Sequence, residues 1–262
     1  MNKIKLIFFA ISIFAITGLN AQSNKLFKKK IFVNKQSDTL LYRTLYPLIK
    51  FEDCNNKDKK YPLVIFLHGA GERGNDNEKQ LIHGVKIFTK SVNRIKYPCF
   101  VIAPQCPEGK RWVEVSWSLS KHTMPENPSE PLQLTMELID EYCKNYPIDT
   151  TRIYVTGLSM GGFGTWDLIS RQPQKFAAAV PICGGGDEKQ ASKLKNIPIW
   201  AFHGGRDKVV KTFRTRNMIK TIKKAGGKPK YTEFPRLGHF SWKAAYQTKG
   251  LLKWMFSKSI KN

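Results

Sequence analysis

Three shortages narrow the field before any motif is read. Beyond Thr17, no apolar run approaches the roughly 20 residues that a bilayer-spanning helix needs. Acidic residues are scarce: 20 Asp and Glu stand against 44 Lys and Arg, a formal charge of +24. Cysteines are few and scattered, at Cys54, Cys99, Cys106, Cys143 and Cys183, with no CxxC pair and no His-Cys cluster. That spacing excludes the familiar zinc sites, and no glycine pattern for a dinucleotide is present, so no metal and no cofactor is expected. An odd number of cysteines leaves at least one free or paired between chains; an exported location would allow one bridge, of unreadable connectivity. No internal repeat or low-complexity linker breaks the chain.

The excess of positive charge goes well beyond what solubility requires. It suits an acidic polysaccharide or an anionic cell surface as a neighbour. Charge alone would also admit nucleic acid, but no helix-turn-helix, RNA-binding strand motif or zinc-finger spacing accompanies it, so no nucleic-acid partner is expected. Most of the lysines read as a solvated surface.

The N-terminus has the pattern of a secretory signal. Lys3 and Lys5 precede an apolar core over Leu6–Thr17, and Leu19-Asn20-Ala21 offers a cleavage site before Gln22. The expectation is a signal peptide at 1–21 and one domain over 22–262. The mature chain would then be periplasmic or extracellular, with no stable membrane insertion.

The densest chemical signal is Gly157-Leu158-Ser159-Met160-Gly161, which reads G-x-S-x-G. In that motif a serine sits on a tight turn between a strand and a helix, and the glycines permit close approach. The flanks agree. Arg152–Thr156 is a β-branched and aromatic run, and Phe163–Arg171 reads as a helix that stops before Pro173. A serine nucleophile needs a histidine base and an acid that orients it. After Ser159 come only His203 and His239. Asp207, in a Gly-rich turn just past a strand, is the candidate acid, and His239 the candidate base. His203 and His68 read as braces of nearby loops. Asp187 is the competing acid, and Glu233, inside a strand, is a poor one.

The loop His68–Gly74 follows the strand-like Tyr61–Leu67 and is rich in glycine. Its backbone N–H groups at Ala70 or Gly71, with that of Met160, are the candidate oxyanion donors. Arg73 on the same loop is a candidate partner for a substrate carboxylate, although an ion pair with Glu72 competes for it. The long segment Pro104–Asn127 carries Trp112 and Trp117, which read either as a substrate platform or as packing for the loop itself.

Elsewhere strand and helix patterns alternate, which implies an α/β fold with a mostly parallel sheet and helices on both faces. Strands are expected near 29–33, 39–46, 61–67, 99–103, 152–156, 176–182, 197–203 and 230–235. The first two should form an antiparallel edge. Helices are expected near 78–89, 130–145, 163–171, 209–225 and 249–258. Only about 14 residues separate Ile182 from Ile197, so no cap domain fits there.

Taken together, Leu67–Gly74, Ala103–Pro107, Gly157–Gly164, His203-Gly204 with Asp207, and Gly238-His239 with Trp242 resemble the α/β-hydrolase superfamily. The likeness is to its compact secreted esterases: the polyhydroxybutyrate depolymerase-like, feruloyl and acetyl-xylan esterase group and the prolyl oligopeptidase catalytic domain. It covers about residues 40–258 and is specific for a serine hydrolase fold and triad. The expected reaction is hydrolysis of carboxylic esters on polysaccharide decorations of acetyl or feruloyl type, and an uncapped site with aromatics beside it suits such a bulky or polymer-attached ester. The alternatives are a serine peptidase or polyester depolymerase, and a non-catalytic basic protein that binds surfaces on a hydrolase scaffold. Oligomeric state is not readable.

Overall fold

The computed structural model describes residues 24–49, 56 and 58–260. The expected signal peptide and Cys54 lie outside the described residues. Eight strands form one sheet: β1 (Lys28–Val33), β2 (Thr39–Leu45), β3 (Tyr61–Leu67), β4 (Phe100–Pro104), β5 (Ile148–Leu158), β6 (Ala178–Ile182), β7 (Trp200–Gly204) and β8 (Lys230–Phe234). Their order across the sheet is β1-β2-β4-β3-β5-β6-β7-β8. β1 and β2 form the antiparallel edge, β2 also runs antiparallel to β4, and all later pairings are parallel.

The helices are α1 (Ser91–Lys96), α2 (Glu130–Asn145), α3 (Met160–Arg171), α4 (Ala191–Leu194), α5 (Phe213–Lys224), α6 (Trp242–Tyr246) and α7 (Leu251–Phe256). Period-2 alternation on the fully buried β3 divides the core. Leu63, Ile65 and Leu67 join Leu138, Phe163 and Met218 on one face, while Val64 and Phe66 join Ala245, Leu251 and Met255 on the other. Helices therefore cover both faces, as a parallel sheet requires. Ser129 caps α2 by accepting from the Leu132 N–H, worth about 1 kcal/mol. α3 stops where Pro173 forbids a further turn.

One expected helix is broken. Over 78–89 the chain forms short 3₁₀ turns, because Gly84 has φ 76° and cannot continue a right-handed helix. Near the C-terminus the helix expected at 249–258 forms as α7, and the additional short helix α6 precedes it, set apart by Gly250 at φ 84°. The elbow helix also begins three residues earlier than expected, at Met160. Only the short helix α4 and a 3₁₀ turn lie between β6 and β7, so no lid is inserted at that point. The four described cysteines, Cys99, Cys106, Cys143 and Cys183, are free thiols, so the bridge that export would allow is absent among the described residues. Burial pushes the Cys99 and Cys106 thiols up to about 12, which keeps them protonated and inert at neutral pH.

Candidate active site

Four parallel strands deliver the candidate residues to one edge of the sheet. β3 ends in the loop at His68–Gly74, β5 in Ser159, β7 in the turn with Asp207, and β8 in the turn with His239. The carboxyl edge of a parallel sheet is where such folds place their ligands.

Ser159 sits at φ 54°, ψ −116°, a conformation that L residues rarely adopt. The turn holds it there by two bonds: the Ser159 N–H donates to Ile182 O at 2.9 Å, and the Phe163 N–H donates to Ser159 O at 3.1 Å. The flanking glycines are required by proximity. A Cβ on Gly157 would lie 2.3 Å from Gly161 O, and one on Gly161 would lie 2.0 Å from Leu67 O. Strand and helix thus cross with no room for a methyl group.

Ser159 Oγ lies 2.8 Å from His239 Nε2, and His239 Nδ1 lies 2.7 Å from Asp207 Oδ2. The three residues named from the motif order are therefore in one continuous hydrogen-bonded line. The Asp207 carboxylate is fully satisfied: Oδ1 accepts from the Val209 and Val210 N–H groups, and Oδ2 from His239 and from His203 Nε2 at 3.1 Å. Burial opposes the charge on Asp207, yet the bonds from His203, His239 and the Val209 N–H hold its pKa well below the ordinary carboxylate value. It is an anion at any working pH, able to stabilise a proton on His239.

His203 is thus closer to the chemistry than a loop brace. It is buried, its Nδ1 meets Thr215 Oγ1 at 2.8 Å, and its Nε2 also donates to Val210 O. His68 is a brace as expected. Its Nδ1–H donates to Gly69 O at 2.7 Å and its Nε2 accepts from the Cys106 N–H at 2.9 Å.

The competing acids are engaged elsewhere. Asp187 caps a 3₁₀ turn and accepts from the Met124 N–H at 3.0 Å, and Glu233 pairs with Arg216 and Tyr231. Ala70 and Met160 are each the first residue of a helical segment, so their N–H groups have no acceptor in a preceding turn. Gly71 follows in the same 3₁₀ turn as Ala70.

Of the three substrate-contact candidates, Trp112 needs correction. Trp112 is 0% exposed; its Nε1–H donates to His68 O at 3.0 Å and its ring meets the His68 ring edge-on, so it offers no face to a ligand. Trp117 is half-buried against the core, with the Arg111 guanidinium 4.9 Å above its ring. Arg73 bonds carbonyls rather than Glu72, donating to Ala70 O at 2.9 Å and to Lys110 O. Glu72 is buried, which raises its carboxyl pKa, and its Oε1 is 3.7 Å from His83 Nε2.

Two residues had no clear sequence signal. Arg214, one of many basic side chains, is buried and anchors the long loop by donating to Leu119 O and bonding His122 Nδ1. Phe240, next to His239, is 78% exposed, and adjacency to the histidine was the only hint.

Similarity to characterised proteins agrees with this geometry. A crystallised thermostable esterase superposes with a TM-score of 0.82 at 38% identity, over 91% of this chain and 64% of that one. A bifunctional acetylxylan esterase/xylanase of Neocallimastix patriciarum is 36% identical over 92 residues, 35% of this chain and 14% of that protein. Poly(3-hydroxyalkanoate) depolymerase C of Paucimonas lemoignei is 30% identical over 124 residues, 47% of this chain and 28% of that protein. The chain thus spans less than a third of the length of these two curated relatives. The phospholipase/carboxylesterase family model matches residues 51–249, and the chain belongs to that family of α/β-hydrolases.

Proposed function

We propose that this protein is an exported esterase that removes acyl decorations, of acetyl or feruloyl type, from polysaccharides. The observation that carries the chemistry is the unbroken line from Ser159 Oγ through His239 to Asp207. Ser159 attacks the ester carbonyl carbon while His239 Nε2 takes the hydroxyl proton. Negative charge collects on the carbonyl oxygen, facing the N–H groups of Met160 and Ala70, with Gly71 beside them; removing one such donor costs about 3–4 kcal/mol. The tetrahedral intermediate collapses, His239 returns the proton to the leaving alcohol, and Ser159 stays acylated. Water then gives a proton to His239 and attacks the acyl carbon; the bond to Oγ breaks, His239 returns the proton to Ser159 Oγ, and the acid leaves. Asp207 stays ionised throughout and keeps the His239 Nδ1–H pointed at itself.

The likeness to an acetylxylan esterase, together with the absence of a lid between β6 and β7, supports a polymer-attached substrate. Residues 1–21 would be removed on export, and 22–262 would form the catalytic domain. A hydrolysis screen over acetyl, feruloyl, p-nitrophenyl and peptide substrates tests this reading. Turnover of peptides but not esters would replace it with a peptidase. Failure of a fluorophosphonate probe to label Ser159 would leave a binding protein on a hydrolase scaffold.

A further inference from the structure

A cleft of about 480 Å³ opens beside the catalytic histidine, between the 82–90 turns and the segment 240–247. Phe240 and Trp242 form the wall nearest the site. Their rings lie 6.1 and 5.6 Å from the His239 ring, and they pack edge-to-face on each other at 4.9 Å. Ile82, more than half exposed, and His83 form the opposite side, with the His83 ring 5.6 Å from Trp242. An exposed phenylalanine resting edge-on against a buried tryptophan is an unusual use of apolar surface beside a reaction centre. The rim carries Lys90 and Lys243, both exposed, and among the described residues no Asp or Glu lines the cleft.

His239 Nε2 must reach the leaving oxygen, so the alcohol half of the ester departs on the histidine's side of Ser159. The wall built on the histidine's own segment then meets that alcohol. We infer that this cleft is the leaving-group subsite and that it takes a saccharide bearing carboxylates: the Phe240 ring stacks on a sugar face while Lys90 and Lys243 pair with uronate groups. The inference rests on the reading of Ser159 and His239 as nucleophile and base, and it gives part of the large positive charge a specific task.

The test holds the acyl group constant and varies the alcohol. Acetyl esters of a neutral xylo-oligosaccharide, of the same oligosaccharide with a glucuronic acid branch, and of p-nitrophenol are compared. At low salt, kcat/KM for the acidic oligosaccharide should exceed that of the neutral one by roughly tenfold, and the advantage should vanish at high salt. The double variant Lys90→Glu/Lys243→Glu should bring the acidic-to-neutral ratio to about one at low salt. Phe240→Ala should lower both saccharide esters roughly fivefold more than p-nitrophenyl acetate. An acidic-to-neutral ratio near one in the wild type, or equal losses on all three esters in Phe240→Ala, would overturn the subsite.

Failure of ester hydrolysis itself would appear separately, as no turnover of p-nitrophenyl acetate. The cleft is then judged by calorimetry on Ser159→Ala with the deacetylated acidic oligosaccharide. Salt-sensitive binding that is lost in the added lysine reversals supports it, and no binding refutes it.

Discussion

His68 should make this protein lose stability in mild acid. Its ring is buried, and its two nitrogens are committed to opposite roles: Nδ1–H donates to Gly69 O, while Nε2 accepts from the Cys106 N–H. A proton on Nε2 would face another N–H in a dry site. Burial, chiefly, lowers the His68 pKa to about 4 from the ordinary 6.5. In the unfolded chain the ring takes up a proton near pH 6.5, whereas in the folded chain it stays neutral until about pH 4. Folding stability is therefore full above pH 6.5, falls as pH drops from 6.5 to 4, and has no further dependence on this group below that. A difference of about 2.5 units at 1.36 kcal/mol each gives about 3 kcal/mol, a large share of an ordinary domain's stability. His122 is lowered to about 4, by burial first and by the Arg214 charge second, and adds to the slope in the same window. The assay is urea unfolding at pH 7.5, 6.5, 5.5 and 4.5 for the wild type and His68→Gln, which keeps an acceptor and a donor but does not titrate. The variant should start less stable at pH 7.5 and lose about 1.4 kcal/mol per pH unit less than the wild type between 6.5 and 4.5. Equal slopes in the two proteins would refute the argument.

Four further outcomes are expected. Ser159→Ala should lower kcat roughly 10⁵–10⁶-fold with an unchanged melting temperature, since only a hydroxyl leaves; steady-state ester hydrolysis and calorimetry check both. Asp207→Asn should cost roughly 10⁴-fold in kcat through the wrong His239 tautomer, whereas Asp187→Asn, whose carboxylate bonds Met124, Lys189 and Gln190 and not His239, should leave kcat within an order of magnitude. Gly161→Ala sets a Cβ against the Leu67 carbonyl, where backbone cannot yield, and should lower stability by 3 kcal/mol or more, about the upper range for overpacking, seen as a large drop in melting temperature. Trp112→Ala should destabilise by about 3–5 kcal/mol and reduce turnover of large and small esters alike, because its ring is core; selective loss on bulky esters would show a substrate contact instead.

Legibility differed by kind of information. Ser159 was readable because a nucleophile on a tight turn demands glycines at fixed offsets, and those offsets are local. Asp207 and His239 were readable because each stands in a turn just past a strand, and parallel strands carry such turns to one edge of the sheet. The strands themselves came through as short apolar runs bounded by turns. The misread helix at 78–89 hinged on Gly84, whose positive φ depends on packing against the Tyr246 ring, far away in the chain.

Side-chain fate in loops was another matter. Trp112 and Phe240 are both aromatics in segments without regular pattern, yet one is core and the other is exposed beside the histidine. No periodicity distinguishes them, because a loop residue's burial is set by whatever distant element happens to lie against it. The same holds for His203, which meets Asp207 only because the turn after β7 folds back on the strand, and for Arg214, whose partners are about 90 residues away. Local spacing on its own pointed to Ser159 as the candidate nucleophile and to the strands of the sheet that carries it. The second donor on Asp207, the anchoring of the long loop and the shape of the cleft beside His239 arise from contacts between segments remote in sequence, which come into existence only when the sheet and its two helical layers close.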